Sequence, residues 1–154
     1  MKDDVNRRDV CRSLAVIAAL AASTRGGQAA SGTEAALTHS QIFPYDKLTV
    51  HPSPNGGSSR AVIDGTLATG EFVEVHETTL LPDQMPHPPH RHTHSEFLLI
   101  REGRLQVDSD GQRGTVEAGG VVFTASGVLH GLKNIGTIPA NYFVVAVGIQ
   151  EVIA

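Results

Sequence analysis

Beyond residue 60 the chain is a succession of short apolar-rich runs, each closed by Gly, Pro, Asn, Asp or Ser before it reaches helical length. Residues 61–67 form one run and 71–80 another, in which Phe72, Val73, Val75 and Thr78 favour extended backbone. Residues 96–102, 104–108, 114–117, 121–125, 130–134 and 141–149 complete the set. Asp110-Gly111 is a strong hairpin turn between two of them. The Pro-rich stretch 81–89 cannot pair as a central strand. Ahead of these, 30–40 reads as a flexible lead-in, 41–51 as an edge strand or an arm, and 52–59 as a loop. No window after Ala30 carries a helical period, so the pattern predicts an all-β domain over 60–154 behind a flexible arm and loop over 30–59.

The first 29 residues follow a different pattern. Arg7-Arg8-Asp9-Val10 precede an apolar run over 14–22, which Ser23-Thr24-Arg25 ends. A positive head, an apolar run of that size and a small-residue exit describe an export signal, a helical or disordered segment removed from the mature protein. The run is shorter than the roughly 20 residues that span a bilayer. The paired arginines resemble a twin-arginine signal, although Asn6 stands where Ser or Thr is usual, and Val10-Cys11 where Phe-Leu is usual. Gly27-Gln28-Ala29 offers a cleavage site, so the mature chain is expected to begin near Ala30, in the periplasm or outside the cell, free of the membrane. An uncleaved anchor and an ordinary Sec signal are the alternatives.

Removing that segment changes the composition. The single cysteine, Cys11, lies within it, leaving no thiol for a disulfide or a metal site. After Ala30 there remain 7 basic and 13 acidic residues, a net charge of −6 with no basic footprint for nucleic acid. At 154 residues with 16 Gly and 8 Pro, the chain suits one domain of short strands and tight turns.

The candidate chemistry is concentrated in one stretch. Four imidazoles crowd into His87-Pro88-Pro89-His90-Arg91-His92-Thr93-His94, followed by Ser95-Glu96 and an apolar strand. Neutral imidazole and carboxylate are good ligands for Mn, Fe, Ni, Cu and Zn. His90 and His92 are two apart, so extended backbone projects both rings to one side, and Glu96 has the same parity. A fourth ligand must come from elsewhere, and His130, alone in Ser126-Gly127-Val128-Leu129-His130-Gly131, is the candidate.

These residues resemble the cupin superfamily. Its first motif, His-x-His, three or four residues, Glu, six residues, Gly, is matched by His90-Arg91-His92, Glu96 and Gly103. Its second, Gly, five residues, Pro-x-Gly, two residues, His, three residues, Asn, is matched by Gly119, Ala125-Ser126-Gly127, His130 and Asn134. Between Gly103 and Gly119 lie 15 residues, a short spacer for the family, and the resemblance covers about 60 to 150. Gln84 replaces a usual Gly and Ala125 the usual Pro; both are turn positions and neither is a ligand. The resemblance implies a single-domain jelly-roll β-barrel of six to eight strands. It implies a divalent metal on His90, His92, Glu96 and His130, with one or two positions left for water, substrate or dioxygen.

On that footing the expected function is a metal-dependent enzyme on a small organic molecule, either dioxygenase-like with Mn or Fe, or a lyase or isomerase using the metal as a Lewis acid. Glu96 or His94 would move the proton. A non-catalytic periplasmic metal- or sugar-binding cupin, with or without Ni, Cu or Zn, is the alternative. Folding before twin-arginine export lets Mn or Fe be trapped first, whereas outside the cell the affinity order favours Cu or Zn. His94 is an alternative ligand or a rim imidazole, and His87 is expected outside the ligand set. His76, His39 and His51 read as structural or surface residues. Arg91 and Arg101 are either a clamp for an acidic substrate or solvated strand-edge charges, while Leu98, Ile100 and Phe123 line the pocket or fill the core. Gly103, Gly119 and Gly127 are expected at turns of positive φ. An open barrel edge suggests a homodimer.

Overall fold

The structure, a computed structural model, describes residues 36–149. The export segment expected over 1–29 lies outside the described residues. Ten strands follow one another: β1 (Ala36–Leu37), β2 (Val50–Pro52), β3 (Ser58–Leu67), β4 (Phe72–Leu80), β5 (Ser95–Glu102), β6 (Arg104–Ser109), β7 (Gln112–Glu117), β8 (Val121–Thr124), β9 (His130–Asn134) and β10 (Ala140–Gly148). A 3-10 turn over Tyr45–Lys47 is the one helical element among the described residues. The apolar runs read from the sequence recur as β3 to β10 with ends shifted by at most three residues, and 130–134 matches β9 at both ends. The segment read as lead-in, arm and loop contains β1, the 3-10 turn, β2 and the start of β3.

The strands form two sheets. One runs β1-β3-β4-β10-β5-β8 with β2 on β3, the other β7-β6-β9, and together they make the walls of a cupin-like jelly roll. Only β1–β3 is parallel among these pairs. Such antiparallel pairs close with tight turns, and Asp110-Gly111 supplies one with both residues at positive φ, as a type I′ hairpin requires.

Strand alternation separates inside from outside. Along β10 the side chains of Ala140, Tyr142, Val144 and Ala146 are buried, and the register extends this inner face across the large sheet. One row reads Glu74, Ala146, Glu96, Thr124; the next His76, Val144, Leu98, Val122; a third Thr78, Tyr142, Ile100. Leu80, Leu98, Ile100, Leu105, Tyr142 and Val144 form the apolar core at one end of the barrel. The other end, where the rows become Glu, His and Thr, is the polar mouth.

Two buried polar groups fix the walls. Asn134 ends β9 wholly buried; its amide donates to the Leu80 and Ile138 carbonyls at 2.9 Å each, and its side-chain oxygen accepts from Gly136 N–H at 2.9 Å. Glu77 is equally buried on the outer side of the large sheet, where Arg60 meets it at 2.7 Å and the Tyr45 hydroxyl donates to it at 3.3 Å. The guanidinium carbons of Arg60 and Arg101 lie 4.6 and 4.5 Å from the centre of the Tyr45 ring, which pins the N-terminal arm to the sheet. Arg101 donates to the Tyr45 hydroxyl at 3.2 Å and lies 3.8 Å from Glu77.

Candidate metal centre

The site is assembled from three separate elements. His90 and His92 lie on the loop between β4 and β5, Glu96 near the start of β5 in the large sheet, and His130 at the start of β9 in the small one. His90 and His130, distant in sequence, form an isolated antiparallel bridge in which each N–H donates to the other's carbonyl at 3.0 Å. A pair that exchanges both bonds has its side chains adjacent on one face. The loop is held on its far side as well. Gly127 N–H donates to the His92 carbonyl at 2.8 Å, the Ser126 hydroxyl to that of Thr93 at 2.6 Å, and the Arg91 guanidinium to that of Gly127 at 2.6 Å. Arg91 is therefore a tie between the two ligand-bearing segments.

Both departures from the family motifs have a local explanation. The turn Ala125–Val128 closes with Val128 N–H donating to the Ala125 carbonyl at 3.2 Å, and the positive φ it requires falls on Gly127, leaving Ala125 free of constraint. In the loop after β4 the left-handed residue is Asp83, not Gln84, whose carbonyl instead accepts from Asn134 N–H at 3.0 Å.

The rings of His90, His92 and His130 converge, with centroids 4.6 to 5.3 Å apart, and one nitrogen from each lies within 4.8 Å of the other two. Glu96 joins them, one oxygen 3.6 Å from His92 Nε2 and the other 3.9 Å from His130 Nε2. Two ligands on one ion at about 2.1 Å stand no more than about 4.2 Å apart, so both separations suit a shared ion. The tautomers suit it too. His92 Nδ1 bonds the His94 carbonyl at 2.8 Å and His130 Nδ1 bonds the Val128 carbonyl at 3.0 Å. Those carbonyls require the proton on Nδ1, which turns the lone pair of each Nε2 inward. His92 Nε2, His130 Nε2 and His90 Nδ1 are buried without a hydrogen-bond partner. Burial lowers the pKa of His90, and the neighbouring imidazoles of His87, His130, His92 and His94 lower it further, so the ring is held neutral as ligation requires. Three imidazoles and one carboxylate here can hold a metal.

His94 stacks on His92, centroids 3.7 Å apart and planes within 12°, and with His92 and Glu96 it makes a second group of potential ligands. Desolvation lowers its pKa, helped by His92 and opposed by Glu96 and Glu74.

Two of the remaining readings change. His76, taken from sequence for a structural or surface residue, lies on the inner face. It lines a cavity of about 110 Å³ together with Thr78, His87, Glu96, His130 and Tyr142, and Glu74 holds its Nδ1 at 3.0 Å. The signal was available: His76 shares strand parity with Glu74, Thr78 and Leu80. Phe123 is more than half exposed on the outer side beside Phe97, whereas Leu98 and Ile100 are core. His87 packs edge-on against His90 at 4.2 Å and shares the cavity wall with Glu96 and His130. His39 and His51 are exposed. Tyr142, in the cavity wall, has its phenol pKa pushed up by burial, with the Glu96 charge adding to this and a bond to Thr78 opposing it.

Comparison with known proteins agrees with this geometry. Residues 76–146 match the family model of the cupin domain. An RmlC-like cupin from Shewanella frigidimarina is 17% identical with a TM-score of 0.60, covering 73% of this chain and 95% of that one. A predicted oxalate decarboxylase from Thermotoga maritima is 20% identical with a TM-score of 0.57, covering 70% and 98%. A cupin 2 conserved barrel domain protein from Salinispora arenicola is 21% identical with a TM-score of 0.55, covering 70% and 88%. These likenesses speak to the fold. A search of curated proteins by sequence finds no match.

Proposed function

From the premise that this chain belongs to the cupin superfamily, we propose that it is an exported, divalent-metal-dependent enzyme acting on a small organic molecule. The observation that carries the reading is the set of three buried imidazole nitrogens with no partner, beside a carboxylate at ligand distance. Leaving three such nitrogens dry and unpaired costs roughly 1–3 kcal/mol each, a cost that an ion removes. A divalent ion there supplies Lewis acidity to a bound carbonyl or enolate and, as Mn or Fe, redox capacity toward dioxygen.

The chain's own residues supply the rest. His90, His92, Glu96 and His130 would hold the ion, and Glu96 and His130 also line the small cavity in which a ligand could lie. Glu96 and His94, whose polar atoms lie within 4.8 Å of each other, would be the groups to carry a proton. Glu74 orients His76 in the cavity wall, and Thr78 and Tyr142 set the cavity's width. A space of about 110 Å³ favours small ligands. Mn or Fe is favoured by folding before export, which the Arg7-Arg8 pair and the apolar run over 14–22 support.

Elemental analysis of protein purified from its native compartment tests the metal; Mn or Fe is expected, and Cu or Zn at full occupancy counts against the choice. Oxygen uptake and turnover by the metallated protein with small carboxylic and carbonyl compounds tests the activity. Inertness with Fe, Mn, Cu and Ni alike makes it a binding or storage cupin.

A further inference from the structure

One inner row of the large sheet reads His76, Val144, Leu98, Val122, so an imidazole stands where the other three strands place aliphatic side chains. The His76 side chain is 30% exposed and lines the cavity of about 110 Å³ together with Glu96 and His130. Glu74, the preceding inner position of β4, holds its Nδ1 at 3.0 Å. A partly exposed pair of this kind adds little to stability, so packing alone gives no reason for it. A carboxylate only accepts, so Nδ1 carries the proton and Nε2 of the neutral ring presents a lone pair. Among the described residues that Nε2 has no hydrogen-bond partner. Yet it is not one of the four polar atoms buried without a partner, which are His90 Nδ1, His92 Nε2, His130 Nε2 and the Thr124 hydroxyl. It therefore keeps accessible surface that an occupant of the cavity can touch.

The other polar groups of the same wall indicate what that lone pair serves. Thr78 and Tyr142 bring hydroxyls that are bonded to each other, and burial keeps the phenol protonated and able to donate. His87 is exposed, and its Nδ1 is bonded to the carbonyl of the adjacent Pro88 at 3.1 Å, with no carboxylate to fix the ring. A carbonyl only accepts and an ammonium only donates, whereas an alcohol hydroxyl does both and suits a wall that mixes donors with a fixed lone pair. The cavity has room for about four water-sized groups at roughly 30 Å³ each, which limits the ligand to two or three carbons. We propose that His76 Nε2, held in place by Glu74, accepts a hydrogen bond from the hydroxyl of a short hydroxycarboxylate whose carboxylate sits on the ion. The site then prefers short hydroxy acids over the corresponding plain acids, with His76 setting the specificity and Glu74 as its positioning residue. This rests on the metal reading above.

The test uses the full-length chain in its Co(II) form at about pH 8, where an ordinary imidazole is neutral, with glycolate and acetate titrated by visible absorption. Wild type is expected to bind glycolate more tightly than acetate. His76→Phe, which keeps a ring and removes both nitrogens, is expected to hold the wild-type amount of cobalt while the glycolate-to-acetate preference falls about tenfold. Glu74→Ala, which frees the tautomer and leaves the imidazole, is expected to lower the preference about threefold. An unchanged preference in His76→Phe overturns the proposal, because the selection would then come from chelation by the ion alone. Lost cobalt in that variant overturns it too, since His76 would then support the ligand set. Should His76→Phe fail to fold, nitrogen-15 spectra of the Zn(II) wild type decide: glycolate is expected to move the His76 Nε2 resonance and acetate to leave it, and an Nε2 indifferent to both overturns the proposal. If wild type takes up no cobalt, the metal reading has failed and this inference falls with it; cobalt bound with a preference indifferent to His76 sinks the inference alone.

Discussion

His130 shows how much one side chain contributes. Its backbone exchanges two hydrogen bonds with His90, its Nδ1 is anchored on Val128, and its Nε2 is left buried and bare 3.9 Å from Glu96. Replacing it by Gln keeps the bridge, since the main chain is unaltered, but misplaces the donor atom. Loss of an outer partner of a ligand typically weakens metal binding 10–100-fold; loss of the ligand itself should exceed that. His130→Gln is therefore expected to weaken Co(II) or Mn(II) binding about a hundredfold or more by titration calorimetry, with little change in far-UV circular dichroism. Unchanged affinity would remove His130 from the site. The ligands were legible in the sequence because imidazole-rich segments at fixed parity have few other uses. His76 was harder to read: its parity with Glu74, Thr78 and Leu80 is in the sequence, but a lone His in a strand is common, and the register is what places it in the inner row with Val144.

Among the elements, the turns govern the outcome. Gly103 joins β5 to β6 at φ +88, and a Cβ built there falls 2.6 Å from the Ala140 Cα, which is backbone and cannot step aside. Gly103→Ala thus meets positive-φ strain and a clash with the start of β10 at once. A loss of about 3 kcal/mol is expected in urea unfolding, with the metal ligands chemically intact; a loss below about 1 kcal/mol would show that the β5–β6 turn yields. Strand positions read well from the sequence, because alternation and Gly-rich turns are local signals. The pairing of the arm read less well. β1 is held by the far end of β3, Ala36 opposite Thr66, and the Tyr45 clasp joins residues from three different elements, so no local pattern announces either.

For the molecule as a whole, the ion and the outer surface matter most. An ion that binds the folded barrel and not the open chain stabilises by mass action: at a hundredfold excess over its dissociation constant the gain is about 2.7 kcal/mol. Differential scanning calorimetry should show the melting temperature rising with added metal and falling with chelator, and an unresponsive transition would mean the ligands never share an ion. Outside, Phe97 packs on Phe123 with centroids 5.0 Å apart and Leu99 pairs with Val121, all four at least 39% exposed, beside the open edge of β8. A contiguous apolar block at an unprotected edge supports pairing with a second copy. Phe97→Lys with Phe123→Lys is expected to convert a dimer to a monomer in light scattering, while a wild-type chain already monomeric ends the dimer proposal.

The reciprocal bridge between His90 and His130 has a consequence in time. Glu96 sits on the large sheet and His130 on the small one, while His90 and His92 hang on the loop between β4 and β5. No nascent chain shorter than 130 residues carries all four donors, and they meet only once the two sheets face each other. An ion taken up there would be one abundant wherever the polypeptide completes its collapse.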